Sequence, residues 1–208
     1  MCSIVHYVVN NHNSFFQKLL DMDTDIQQNV LTCYRNLFQY YRELAEKAMA
    51  QIADDDFFQQ PTPESNSVAI VVQHLSGNML SRFTDFLTSD GEKPWRDRDA
   101  EFEPLATDKT ALLESWNKGW TCVFDAIDAL TPEDLGKIVY IRNQGHTVLE
   151  ALSRQLAHYP YHVGQIVYLC RMLSGEEWAS LSIPKGNSEA FNAEKFAREK
   201  ERKFFFEK

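Results

Sequence analysis

The chain has 208 residues, 44% hydrophobic and 12% aromatic, which is enough for one well-filled core and too few for two ordinary domains. Thirty acidic and 21 basic residues give a formal charge of −9, the wrong sign for a protein that lives on nucleic-acid phosphates or an anionic membrane surface, so neither partner is expected. The four cysteines, Cys2, Cys33, Cys122 and Cys170, have no CxxC spacing; this argues against a disulfide framework and a thiolate zinc site, and a cytoplasmic location is expected.

In chain order, MCSIVHYVVNNHNSFFQKLL lacks a basic n-region, a continuous apolar stretch and a small-residue cleavage site, so it does not read as a signal peptide. Residues 1–21 are expected to be a poorly ordered extension ahead of a single domain at 22–208. No run of about 18 apolar residues occurs, so no membrane-spanning helix is expected. A first long helix is predicted from Asp25 to about Ala53, where Ile26, Val30, Tyr34, Leu37, Tyr41, Leu44, Ala48 and Ile52 recur at steps of three and four. Pro61 and Pro63 interrupt that pattern, and Ser65 to Ser67 offer N-caps for a second helix from about Val68 to Leu87.

GEKPWRDRDAEFEPLA has no period and reads as a loop rich in charge and aromatics. A third helix is predicted over about Asp108–Ala129, followed by a short helical turn at Thr131-Pro132-Glu133-Asp134. KIVYIR, residues 137–142, can be extended but is too isolated to make a sheet. Thr147 and Glu150 have capping-box spacing ahead of a fourth long helix reaching Leu173, with Ser174-Gly175 stopping it. His146 reads as a loop or cap residue. A last helix is expected from about Glu189 to Phe205, bearing exposed aromatics at Phe204, Phe205 and Phe206. The fold class that follows is all-α: an antiparallel up-and-down four-helix bundle with an additional C-terminal helix.

LAHYPYHVGQIVYL, residues 156–169, carries His158 and His162 one turn apart, so both imidazoles leave one helix face about 5–6 Å apart at Cβ. Pro160 between them removes a helical hydrogen bond and crowds the carbonyl of Leu156. HxxxH alone also arises by chance in core helices. His74 lies at the edge of the second helix's apolar stripe, on a seam with Ile70, Gly77, Asn78 and Ser81. Gly77 costs roughly 1 kcal/mol against alanine in a helix interior; its use there is room for a neighbouring side chain or a ligand. A lone His74 would read as a hydrogen-bonded core histidine, whereas His74 facing His158 and His162 would give three neutral nitrogen donors with coordination positions left open. Open His₃ sites belong to chemistry, whereas structural zinc sites are closed by four protein ligands.

SVAIVVQHLSGNMLSRFTDFL, DGEKPWRDRDAEF, GHTVLEALSRQLAHYPYHVGQIVYL and SLSIPKGNSEAFN together resemble a branch of the DinB/YfiT-like metal-dependent enzymes, over roughly residues 25–195. The resemblance implies a DinB-like four-helix bundle, often a homodimer, holding a divalent metal on His74, His158 and His162. Several of those relatives are transferases or isomerases using a low-molecular-weight thiol such as mycothiol or bacillithiol, and many, including this branch, have no assigned reaction. The expected function is therefore a divalent-metal-dependent transferase in which an open metal position lowers the pKa of a thiol and presents it to an electrophilic small molecule. Zinc and nickel are the expected ions, and manganese and iron also accept imidazole. A metal-dependent hydrolase is one alternative, although no carboxylate stands out as its base; a non-catalytic, stress-related binding bundle is another.

Arg96 and Arg98 are the candidate cofactor-binding residues, able to grip the carboxylates of a thiol cofactor if their loop folds over the bundle mouth. An ion-pair network with Asp97, Asp99 and Glu101 is the equal alternative. Gln155 and Gln165 either support the ligand pair or face solvent, and packing between helices is favoured for Tyr159 and Tyr161. Capping by Ser188 is favoured over an anion site at Lys185-Gly186-Asn187-Ser188. Cys122 and Cys170 read as core thiols.

Overall fold

A computed structural model describes residues 2–103 and 108–204, without the side chains of residues 2–21 and 23. Among these residues the backbone forms α1 (Cys2–Met49), α2 (Val68–Phe83), α3 (Lys109–Asp128), β1 (Ile138–Ile141), β2 (Gln144–Thr147), α4 (Val148–Ser174) and α5 (Ser188–Phe196). The chain is mostly helical, as its periodicity implies. α1 packs on α3 and α4, and α2 packs on the same two helices.

Helical backbone begins at Cys2, upstream of the expected start at Asp25. The buried face of α1 is centred one row from the predicted stripe along much of the helix and rejoins it at Ala48, with Ile52 buried just beyond. Leu31, Phe38, Ala45, Ala48 and Met49 are buried, whereas Val30, Tyr34, Tyr41 and Leu44 flank them and Ile26 is 61% exposed. The heptad step from Leu31 through Phe38 to Ala45 runs beside the predicted row, and two adjacent apolar rows cannot be ranked from one helix alone. Phe38 stands at the centre of the core. Its ring meets Tyr159 at 5.7 Å and Trp120 at 6.3 Å, and Trp120 meets Tyr159 at 5.8 Å and Trp116 at 5.6 Å. One aromatic cluster thus ties α1, α3 and α4 together.

Caps set the helix starts, at Ser67 and Thr147 as expected and at Asp108 in addition. Ser67 accepts the Ile70 N–H, Asp108 accepts the Ala111 N–H, and Thr147 and Glu150 form a reciprocal capping box. Two ends differ from expectation. α2 stops at Phe83 instead of about Leu87, because Thr84 is extended and Asp85 takes a positive φ of 49°. α5 stops at Phe196 instead of Phe205, with no buried residue along it, so packing supplies no reason to extend it. Phe205 and Phe206 lie outside the described residues. α4 continues through Pro160.

The expectation that residues 137–142 cannot form a sheet is overturned. β1 pairs antiparallel with β2, Ile141 opposite Gln144. The turn residues Arg142 and Asn143 both have positive φ, 55° and 61°, the two-residue geometry whose twist suits a hairpin. β2 reads QGHT and carries no apolar residue, so it has no strand signal of its own. The hairpin holds the loop after α2: Asp90 accepts the backbone N–H groups of Arg142 and Asn143, each at 2.8 Å, and Gly91 N–H donates to the Tyr140 carbonyl.

Phe38→Ala is expected to lower unfolding free energy in urea by about 3–5 kcal/mol. Ile26→Ala, on the exposed side of the same helix, is expected to change it by less than about 0.5 kcal/mol. Equal effects would place the buried face on the predicted row.

Candidate metal centre

The polar seam of α2 is the surface on which the loop 91–102 docks. Gln73 Nε2 donates to the Ala100 carbonyl at 2.8 Å, Ser81 Oγ donates to the Gly91 carbonyl at 2.8 Å, and His74 meets Glu101. Gly77 lies under Glu101. A Cβ at position 77 would collide with the carboxylate, whose Cδ would stand 2.9 Å away and Cγ 3.3 Å away. The cost of a glycine in mid-helix is thereby explained: it makes room for a buried glutamate.

That glutamate is held from both sides. Arg96 donates Nε to Oε1 at 2.7 Å and Nη2 to Oε2 at 2.8 Å, a bidentate pair, and His74 Nδ1 lies 2.9 Å from Oε2. Burial would raise the Glu101 carboxyl, but Arg96 and then His74 outweigh it and hold the group below the ordinary carboxylate range. An ionised carboxylate only accepts, so His74 carries its proton on Nδ1 and turns a lone pair outward from Nε2. Phe102 covers the His74 ring at 4.6 Å.

On α4, His158 and His162 project toward the same point. The Nε2 atoms of His158 and His162 are 3.1 Å apart, those of His158 and His74 are 3.4 Å apart, and the three residues each bring one ligand atom within 4.8 Å of the others. His162 Nδ1 is 2.9 Å from Gln165 Oε1, so this ring also protonates Nδ1 and frees Nε2. Burial, followed by the neighbouring His162 and His74, pushes His158 down to about 3, and burial lowers His162 as well.

Two lone pairs are therefore aimed at a third ring that has at most one proton to offer there. The arrangement is electrostatically frustrated for protein alone and suits a cation. Ligands about 2.0–2.1 Å from a tetrahedral ion stand roughly 3.4 Å from one another, close to the two separations that His158 makes with His162 and His74. The donor set fits a divalent ion bound by three neutral imidazoles.

The structure brings His74, His158 and His162 together and gives the other candidates differing places, with Arg96, Arg98 and Gln155 lining the same cavity. Arg96 is committed to Glu101 and reaches Glu92 at 3.5 Å. Arg98 is half exposed, 3.8 Å from Asp99 and 5.1 Å above the Phe102 ring. Gln165 supports His162, and Gln155 is buried with its Oε1 unpartnered. Tyr159 is core and donates to Asn78 Oδ1, whereas Tyr161 is 65% exposed. His146 belongs to β2, 3.4 Å from Arg154. Ser188 is the first residue of α5 and Asn187 is its N-cap, without a side-chain cap bond. Burial raises Cys122 and pushes Cys170 up to about 12, as expected of unreactive core thiols. Sequence reasoning gave Glu101 no role at His74, although Gly77 was the signal for it.

Gly77→Ala and Glu101→Gln are each expected to weaken zinc binding roughly 10–100-fold in competition with a chromophoric chelator, with the helical circular dichroism retained. Unchanged affinity in both variants would show that His74 needs no such support.

A family model described as "Protein of unknown function (DUF1572)" matches residues 25–187, a span that includes His74, Glu101, His158 and His162. Comparison with curated proteins gives no match. By the match over most of its length, the chain belongs to the DUF1572 family.

Proposed function

We propose that the protein is a divalent-metal-dependent enzyme, a transferase of a low-molecular-weight thiol such as bacillithiol. The observation that carries this reading is the convergence of three buried or half-buried imidazole nitrogens, two with their lone pairs oriented by Glu101 and Gln165. The resemblance to DinB/YfiT-like enzymes supports it, and so does the packing of α1–α4, which suits an antiparallel up-and-down bundle. Zinc or nickel is the expected ion. When bound, it supplies a Lewis acid that lowers the pKa of a thiol at its open side.

The chain's own contribution is orientation. Arg96 holds Glu101, Glu101 holds His74, and Gln165 holds His162, so the donors need no rearrangement. A cavity of about 300 Å³ opens beside the three histidines, at the lower end of the range for ligand pockets. Phe102 and Asn78 form part of its wall. In the reaction class proposed, the thiol loses its proton to solvent, a sulfur–carbon bond forms, and the electrophile's leaving group departs with its electron pair. Arg98, at the cavity wall, is the cofactor contact in this reading; Arg96 acts through His74.

Hydrolysis is disfavoured by one observation. Among the described residues no carboxylate lines the cavity, and Glu101 is turned to Arg96 and His74, so a general base for water is not at hand. A homodimer and a cytoplasmic location belong to the same proposal. The free thiols of Cys33, Cys122 and Cys170 suit a reducing compartment.

Zinc- or nickel-loaded protein is expected to accelerate conjugation of bacillithiol or mycothiol to monochlorobimane, and to lose that activity in a chelator and regain it on reloading. Ester or amide hydrolysis without thiol dependence would favour the hydrolase. Retained metal with no turnover of either kind would favour a binding bundle.

A further inference from the structure

The same cavity is lined by Arg82, Arg96, Arg98, Arg142 and Arg154, in a chain whose formal charge is −9. The carboxylates available to these five guanidiniums are few. Glu101 is taken by Arg96, and a single Glu92 carboxylate lies 3.1 Å from Arg82, 3.5 Å from Arg96 and 3.1 Å from Arg142. Arg98 has only the loose 3.8 Å contact with the fully exposed Asp99. Arg154 has no carboxylate within ion-pairing distance among the described residues; its polar neighbour is His146, at 3.4 Å. Gathering this much positive charge in one concavity is unfavourable without an anion.

Buried polarity adds a second, independent sign. Gln155 is 4% exposed and lines the cavity, yet its Oε1 has no hydrogen-bond partner. A buried acceptor left unpaired carries a desolvation cost that a ligand O–H or N–H would remove. Arg154 and Gln155 are adjacent on α4, within one turn of His158, so the groups that would hold a ligand and those that would hold the ion share one helix. Arg142 is brought to the same place by the hairpin turn and Arg98 by the docked loop.

We infer that Arg98, Arg142 and Arg154 form an oxyanion subsite beside the histidines, and that the substrate is a small dianionic molecule carrying carboxylate or phosphate groups and a hydrogen-bond donor for Gln155. The reading rests on the metal-dependent function proposed above for what happens at the ligand's reactive end, but the subsite itself does not need the ion. Guanidinium forks match the planar geometry of carboxylate and phosphate oxygens, which is why arginine serves here better than lysine. The oxyanions belong either to the thiol cofactor or to the electrophile, and the chemistry of recognition is the same for both.

Calorimetric titration of the zinc-loaded full chain with succinate tests the subsite, with acetate and choline as comparison probes. Succinate is expected to bind more tightly than acetate, choline not at all, and the succinate affinity to fall with added salt. Arg154→Gln and Arg98→Gln, both at exposed positions, are each expected to weaken succinate at least tenfold. Unchanged binding in both variants, or acetate as tight as succinate, would overturn the inference.

A His158→Ala variant separates this inference from the metal reading. Succinate binding retained there but weakened by Arg154→Gln supports the subsite whatever becomes of the ion. Binding lost in His158→Ala and kept in both arginine variants assigns the anion to the ion and overturns the subsite alone. Where succinate binds, a bacillithiol titration of the saturated protein identifies the source: weakened thiol binding assigns the oxyanions to the cofactor, and undiminished binding assigns them to the electrophile.

Discussion

The orientation of His74, and with it the α2 side of the candidate centre, depends on one buried carboxylate. Glu101 sits in the space that Gly77 leaves, takes both forks of Arg96, and receives the Nδ1 proton of His74. A buried ion pair of this sort is poor evidence for stability, since desolvating two charges offsets most of their attraction. Its value is positional. It decides which nitrogen of His74 bears the proton and hence where the lone pair points, and it does so from a loop with little helical structure of its own.

That loop is held from two further directions. Ser81 and Gln73 on α2 bond to its backbone, and the β1–β2 hairpin, through Asp90 and Tyr140, fixes its first residues. The hairpin in turn leads directly into the Thr147 cap of α4, the helix that carries His158 and His162. The two sides of the centre are thus linked through a turn of two positive-φ residues. The aromatic cluster of Phe38, Trp116, Trp120 and Tyr159 sets the rest of the spacing, with Tyr159 next to His158 in sequence but turned inward to the core.

Much of this was legible in the sequence where a local rule carried it. Caps located α2 and α4, because Ser67 and Thr147 each bond to backbone within three residues, and the apolar period located α3. The spacing of His158 and His162 fixed a shared face, and the resemblance added His74 as their partner. Relations between distant segments were harder to read. The buried face of α1 depended on which of two adjacent apolar rows met Trp120, and β2 was invisible because QGHT takes its strand state from its partner and from the turn. Glu101 lay in a stretch without period, so nothing nearby connected it to Gly77, 24 positions earlier. The arginines on the cavity wall come from α2, the loop, the hairpin and α4, and only the folded chain gathers them.

His74, His158 and His162 are proposed to bind one divalent ion. That proposal is tested most directly by the metal content, by inductively coupled plasma mass spectrometry, of tag-free protein and its His158→Ala variant after reloading with zinc or nickel and desalting. Close to one ion per chain is expected in the parent and a small fraction of that in the variant. A parent that retains no zinc, nickel, manganese or iron, or a variant that retains as much as the parent, would contradict it and leave the three imidazoles as buried core residues.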